Sequence, residues 1–130
     1  MAFHLDTSAA VKLVVLEAES LAMTVWLQAH DGQLVSSDLL RTELLRVIRR
    51  SAPEQMQRAR AVLDSITLLT LPPATFERAA EPDPDGLRSL DALHLAAALE
   101  LGDELDGVVT YDERLARAAQ LRGVVVVAPT

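Results

Sequence analysis

The hydrophobic positions of this chain alternate between short unbroken apolar runs and longer stretches in which apolar residues recur every three or four positions. Residues 2–5 form one such run, which stops on Asp6, and the change of period predicts a buried strand followed by a helix over 8–16. Leu21, Val25 and Ala29 recur at helical spacing and predict a second helix over 19–30, ended by Asp31-Gly32. A short extended stretch over 33–36 precedes two competent caps, Ser37 and Asp38, and a strongly periodic helix to about Arg50. Ser51-Ala52-Pro53-Glu54 has the capping-box pattern with an early proline, so a further helix is expected to about Asp64. A third strand over 66–71 is broken by Pro72-Pro73, followed by a short helix over 75–80 and a Pro- and Asp-rich surface loop over 81–86. Ser89 is placed to cap a helix over 90–101 that is apolar nearly all round, which marks it as buried. Residues 107–110 read as a fourth strand, 112–120 as a helix stopped by Gly123, and 124–127 as an all-valine last strand.

Strand and helix alternate throughout. The pattern predicts a single α/β domain over 1–130, with a largely parallel sheet of about five strands, helices on both faces and right-handed crossovers. In such sheets ligands occupy the crevice beyond the carboxyl ends of the strands, where this reading places Asp6. A side-chain oxygen of Asp6, Thr7 or Ser8 also suits a helix cap, so position alone leaves both roles open.

Composition narrows the picture. A chain of 130 residues can bury enough apolar surface to fold without staples. With Phe3, Trp26, Phe76 and Tyr111 as the only aromatics, its core is built from Leu, Val and Ala, and aromatic platforms for base stacking are not expected. The absence of cysteine excludes disulfides and thiolate zinc sites. No stretch resembles a signal peptide or a bilayer span, so a cytoplasmic protein with no membrane partner is expected. A net charge of −7 argues against simple electrostatic capture of nucleic acid. The average hides a cluster, because six of the eleven arginines lie between Arg41 and Arg60. That cluster serves either as a solvated helical face or as a locally basic contact surface.

Several acids break local rules. Glu43 projects from the apolar face of its helix, near Leu39, Leu40 and Val47, where a carboxylate is costly. Asp91 lies on an inward stripe between Leu87 and Leu95, although a first-turn acid also favours the helix dipole. Asp112 follows the strand ending Val108-Val109-Thr110, at the same strand-to-helix position as Asp6, where it too suits a cap. If the four converge on one crevice, their mutual repulsion calls for a hard cation between them, Mg²⁺ or Mn²⁺.

The runs Leu5-Asp6-Thr7-Ser8-Ala9, Glu43-Leu44-Leu45-Arg46, Leu90-Asp91-Ala92-Leu93-His94-Leu95-Ala96 and Thr110-Tyr111-Asp112-Glu113-Arg114-Leu115 closely resemble, in order and spacing, the blocks of PIN-domain ribonucleases, specifically the VapC toxins of bacterial toxin–antitoxin pairs. The third and fourth runs are the specific ones. The resemblance covers the whole chain and implies a PIN-like domain acting as a Mg²⁺- or Mn²⁺-dependent endoribonuclease that leaves 5′-phosphate and 3′-hydroxyl ends. It implies an acidic cluster of Asp6, Glu43, Asp91 and Asp112. Asp6, Asp91 and Asp112 are the expected metal ligands, and Glu43 closes the cluster. Thr7, Ser8 and Thr110 are expected either to position the metal and its waters or to cap. Arg46, one turn beyond Glu43, is the first choice for a phosphate contact on RNA. The implied partners are an RNA substrate, a VapB-type antitoxin and a second copy of the chain, in a homodimer that becomes a heterotetramer or larger with antitoxin.

Other residues and readings carry less. His94 reads as a hydrogen-bonded core histidine in preference to a ligand or base, and Lys12 as an exposed side chain. A receiver-type phosphoacceptor domain also gathers acids and Mg²⁺ but needs a lysine after its last strand, whereas Lys12 follows the first. A catalytically silent PIN-like interaction module is disfavoured by the presence of all four acids.

Overall fold

The computed structural model describes residues 1–81 and 86–130, so most of the loop expected over 81–86 lies outside the described residues. Its strands are β1 (Ala2–Leu5), β2 (Leu34–Ser37), β3 (Thr67–Leu69), β4 (Leu105–Val109) and β5 (Val126–Val127). They form one sheet in the order β3-β2-β1-β4-β5, with every pairing parallel. The α-helices among the described residues are α1 (Thr7–Lys12), α2 (Ser20–Ala29), α3 (Leu39–Ser51), α4 (Met56–Asp64), α5 (Pro73–Ala79), α6 (Ser89–Leu99) and α7 (Glu113–Leu121), with short 3-10 turns at Pro53–Gln55 and Gly102–Glu104. None is long and apolar enough to cross a membrane.

Alternation along β1 sorts its side chains between two layers. Phe3 packs edge-on against Trp26 and His30, and Leu5 joins Ala9, Leu40, Leu44, Ile48 and Leu63 in the main core, all closed to solvent. Each such aliphatic side chain contributes roughly 1.5–3 kcal/mol of burial. His4 lies edge-on to His94 of α6, while Leu95, Leu115, Ala118 and Ala119 form a smaller cluster that ties α6 to α7. The run of small side chains from Ala96 to Ala98 is buried, which lets α6 sit close to its neighbours.

Several boundaries and faces differ from the sequence reading. The first helix stops at Lys12 instead of residue 16. The Ser20 hydroxyl donates to the Val15 carbonyl (3.0 Å) and accepts from Glu17 N (2.8 Å), fixing a turn that leaves Leu16 91% exposed. In α2 the Leu21, Val25, Ala29 stripe faces outward, with Leu21 75% exposed, and Met23, Trp26 and Leu27 turn inward. Trp26 decides the face, because it meets Phe3 and stacks on His30. The expected capping box does not form: α3 runs through Ser51, whose hydroxyl bonds back to the Val47 carbonyl. Arg88, not Ser89, is the cap residue of α6, and that helix is fully buried only from His94 to Ala98. Strands β3 and β5 are edge strands and shorter than expected, whereas β4 begins earlier because Leu105 pairs with Ala2.

The strand order places the decisive feature. From β1 the chain builds outward through β2 to β3, then returns to the other side of β1 for β4 and β5. The order therefore reverses between β1 and β4, where a doubly wound sheet opens its ligand crevice. Asp6 and Asp112 follow those two strands.

Candidate active site

Asp6 leaves β1 with extended backbone and caps α1, its Oδ2 accepting from Ser8 N at 3.3 Å. Two hydroxyls converge on the same oxygen, Ser8 Oγ at 2.7 Å and Thr110 Oγ1 at 2.8 Å. Both hydroxyls also grip the loop after β4: Ser8 Oγ accepts from Tyr111 N (2.9 Å) and Thr110 Oγ1 from Asp112 N (3.0 Å). Capping and site-building are thus one network. It locks the two strand ends across the crevice and fixes the orientation of a carboxylate that is only 4% exposed. None of these bonds uses Asp6 Oδ1.

Asp112 caps α7 in the same way, its Oδ1 accepting from Arg114 N (2.9 Å) and Leu115 N (3.1 Å). Asp91 stands in the first turn of α6 and makes no hydrogen bond or ion pair among the described residues. Burial holds its carboxyl above the ordinary value of 3.8, and the negative charges of Asp112, Asp6 and Glu43 push the same way against a smaller opposing effect of His94. Asp91 and Asp112 line a cleft of about 370 Å³ together with Arg88, Glu113 and Arg114. The sequence reading gave neither arginine a role. Arg114 stands within the Thr110–Leu115 run, two residues after Asp112, and Arg88 one turn before Asp91.

Glu43 is held differently. Its Oε1 accepts from Thr7 Oγ1 at 3.0 Å and from His94 Nε2, so Thr7 serves Glu43 and not Asp6. Burial disfavours the Glu43 carboxylate, but the His94 and Thr7 bonds outweigh it and keep Glu43 ionised below its usual range. Burial likewise works against a charged His94, and the Glu43 bond together with Asp6, Glu43 and Asp91 holds it above 6.5. When His94 is protonated the two form an ion pair in which His94 is buried and Glu43 partly exposed. His94 is therefore the hydrogen-bonded core histidine its position implied, with the additional task of orienting an acid. His4 beside it is pushed down to about 3 by burial and by the His94 charge. Lys12, expected to be exposed, is 14% exposed and pairs with Glu17 and Glu19 at 3.3 Å while lying over the Tyr111 ring. Arg46 is exposed beside Glu43 and makes no ion pair among the described residues.

The donor set suits a hard cation. It offers carboxylate oxygens only, and the charge gathered around Asp91 is the feature a cation relieves. As they stand, no three His, Asp or Glu side chains among the described residues are gathered closely enough to hold a metal ion, so Asp6, Asp91 and Asp112 would have to draw inward around one.

The hydroxyl network has a measurable worth. Thr110→Val keeps the shape but removes a donor to Asp6 and the acceptor of Asp112 N at a site 1% exposed. It is expected to cost about 1–3 kcal/mol in urea unfolding, and a midpoint equal to wild type would show that the network holds nothing.

The molecule is thus an α/β domain with an open parallel sheet, acids at its switch point and a further acid brought toward them by the first turn of α6. The PIN domain model matches residues 4–121, and the chain belongs to that family. Within it, the relatives are the ribonucleases named VapC. The chain is 42% identical over 130 residues to Ribonuclease VapC47 of Mycobacterium tuberculosis, covering 97% of this chain and 96% of that one. It is 38% identical over 129 residues to Ribonuclease VapC46 of the same species, covering 99% and 98%. Among solved structures, the fold matches Mycobacterium tuberculosis VapC20, described as a sarcin-ricin loop cleaving toxin, with a TM-score of 0.78 at 15% identity over 98% of this chain and 100% of that one. It also matches PAE2754 from Pyrobaculum aerophilum, with a TM-score of 0.70 at 21% identity over 97% and 83%.

Proposed function

We propose that this chain is a divalent-metal-dependent endoribonuclease, the toxin of a VapBC-type pair, hydrolysing RNA phosphodiester bonds at the crevice between β1 and β4. Membership among the VapC ribonucleases supports the reaction class, and the cleft that Asp91 and Asp112 line, beside the Thr110 hydroxyl that bonds both Asp6 and Asp112 N, is the observation that supports the site. Asp6, Asp91 and Asp112 would hold Mg²⁺ or Mn²⁺. When bound, such an ion lowers the pKa of a water and neutralises charge on the attacking and leaving oxygens.

The remaining work belongs to the chain. Ser8 and Thr110 hold Asp6 Oδ2, leaving Oδ1 for the crevice. His94 and Thr7 hold Glu43 ionised at its edge, where it can accept a proton from the attacking water or order that water by hydrogen bonding. Arg88 and Arg114, lining the cleft with Asp91 and Asp112, are placed to neutralise the non-bridging oxygens of the scissile phosphate, and Arg46 a neighbouring phosphate. In an acidic protein these local cations are what retain a polyanion. Partners follow from the same reading: an antitoxin of the VapB kind covering the crevice, and a second copy of the chain.

The test is incubation of purified protein with total RNA in Mg²⁺, Mn²⁺ or EDTA, followed by mapping of the new 5′ ends. Discrete 5′-phosphate ends in either metal and none in EDTA are expected. Equal cleavage in EDTA would sink the metal-dependent mechanism.

A further inference from the structure

Beside the acidic crevice, on the far side of the first turn of α6, lies a second groove of about 530 Å³ lined by Thr7, Leu39, Thr42, Glu43, Arg46, Val47, Arg50 and Leu90. We propose that this groove is a nucleotide subsite, taking the base and phosphate of the RNA residue next to the scissile bond. The inference rests on the ribonuclease reading above and adds to it where the substrate lies.

Three observations carry it. First, the groove has the size of a ligand pocket, and sets three aliphatic side chains, Leu39, Val47 and Leu90, beside polar and charged ones. Leu90 stays 45% exposed at the start of a helix that is buried from His94 to Ala98. Second, Arg46 and Arg50 stand one turn apart on α3 in the groove's lining, and neither makes a hydrogen bond or ion pair among the described residues. In a chain of net charge −7, uncommitted cations beside aliphatic side chains complement a base attached to a phosphate. Third, the groove adjoins the acidic cleft through neighbouring residues of α6. Thr7 and Glu43, the latter bonded to His94, line the groove, and at the start of α6 Leu90 lines the groove while Asp91, next in the chain, lines the acidic cleft with Arg88. A strand with its scissile phosphate at Asp91 crosses that turn and reaches the groove with its neighbouring residue.

The groove also dictates how it would read a base. No aromatic side chain lines it, so the base packs on Leu39, Val47 and Leu90 and beneath a guanidinium plane, a recognised stacking partner for unpaired RNA bases. Apart from Thr7 and Glu43, which are bonded to each other, Thr42 is the only neutral hydrogen-bonding side chain among the lining residues. Preference at this position is therefore graded by stacking and size, and only unpaired RNA can present a base to it.

The experiment uses the full chain and reads binding separately from cleavage. Binding of a short fluorescent single-stranded RNA of randomised sequence is measured in EDTA against salt, for wild type, Arg50→Ala, Leu90→Ser and, as a control outside the groove, Arg60→Ala. Cleavage of total RNA in Mg²⁺ is then mapped for the same proteins. Arg50→Ala is expected to weaken binding about tenfold and to reduce the salt slope by about one. Leu90→Ser should weaken binding severalfold with an unchanged slope and shift the base distribution beside the cleavage sites, while Arg60→Ala matches wild type. Wild-type binding, slope and cleavage distribution in both groove variants would overturn the subsite. A change of oligomeric state in Leu90→Ser, measured by light scattering, would overturn it in favour of a protein interface. Groove-dependent binding without RNA cleavage by wild type in any metal would uphold the groove and remove the ribonuclease reading, so the two failures are distinguishable.

Discussion

Asp6→Asn is expected to lose RNA cleavage by at least about a hundredfold while the protein stays folded, since even residues that only orient a metal ligand cost 10–100-fold. The geometry explains why one atom suffices. Two hydroxyls and an amide all donate to Oδ2, so the asparagine must present its carbonyl oxygen there to satisfy them. Its NH2 then takes the place of Oδ1, putting a donor where a cation needs an acceptor. Stability is kept because the network is kept. Asp91→Asn and Asp112→Asn should be similarly inactive, and Glu43→Gln impaired, having lost the charge that His94 pairs with. Single-turnover cleavage of a mapped RNA, with circular dichroism to confirm folding, decides the matter, and a wild-type rate in Asp6→Asn would remove it from the site.

The second large effect is on stability. In EDTA, Asp91→Asn is expected to melt at or above the wild-type temperature although it is inactive. Burial and the charges of Asp112, Asp6 and Glu43 raise the folded-state pKa of Asp91 above 3.8, so in that range the folded chain binds more protons than the unfolded one. Stability supplied by the protonated acid is present below 3.8 and is lost as pH rises through the raised value. The difference between variant and wild type should therefore widen in the variant's favour as pH rises from 3.8 through the raised value. Two other titrations run alongside, and the His94 one differs between the two proteins by the share that Asp91 supplies. Glu43, held below 4.5, contributes stability that is lost on acidification; His94, held above 6.5, contributes stability that is lost as pH rises through its own raised value. Mg²⁺ reverses the order, because it binds the folded site and not the unfolded chain. At a hundred times its dissociation constant it adds about 2.7 kcal/mol, roughly 10 °C for a chain of this size. Thermal melts of both proteins with and without Mg²⁺ measure this. If Mg²⁺ leaves wild type unmoved at pH 7, or Asp91→Asn melts well below wild type in EDTA, Asp91 serves the start of α6 and not a cation.

The amino-acid sequence by itself determined the alternation of strands and helices, the parallel sheet and the acids at its strand ends. Each is a local matter, carried by the period of apolar residues over a few turns and by where that period breaks. Asp6 and Asp112 were legible because they stop apolar runs, and Glu43 because it interrupts an apolar face. The motif runs that resemble the PIN ribonucleases were legible as well, and the family comparison bears them out. Only the tertiary structure decided which faces are buried and who partners whom. The outward turn of Leu21 and Val25 depends on Trp26 finding Phe3, 23 residues away in the chain. The division of labour among the hydroxyls, with Thr7 given to Glu43 while Ser8 and Thr110 hold Asp6, depends on α1, α3 and β4 meeting at one crevice. The pairing of His94 with Glu43 spans 51 residues. Contacts at such separations leave no periodic trace, because the free energy that selects them comes from burial and complementary charge in the assembled core.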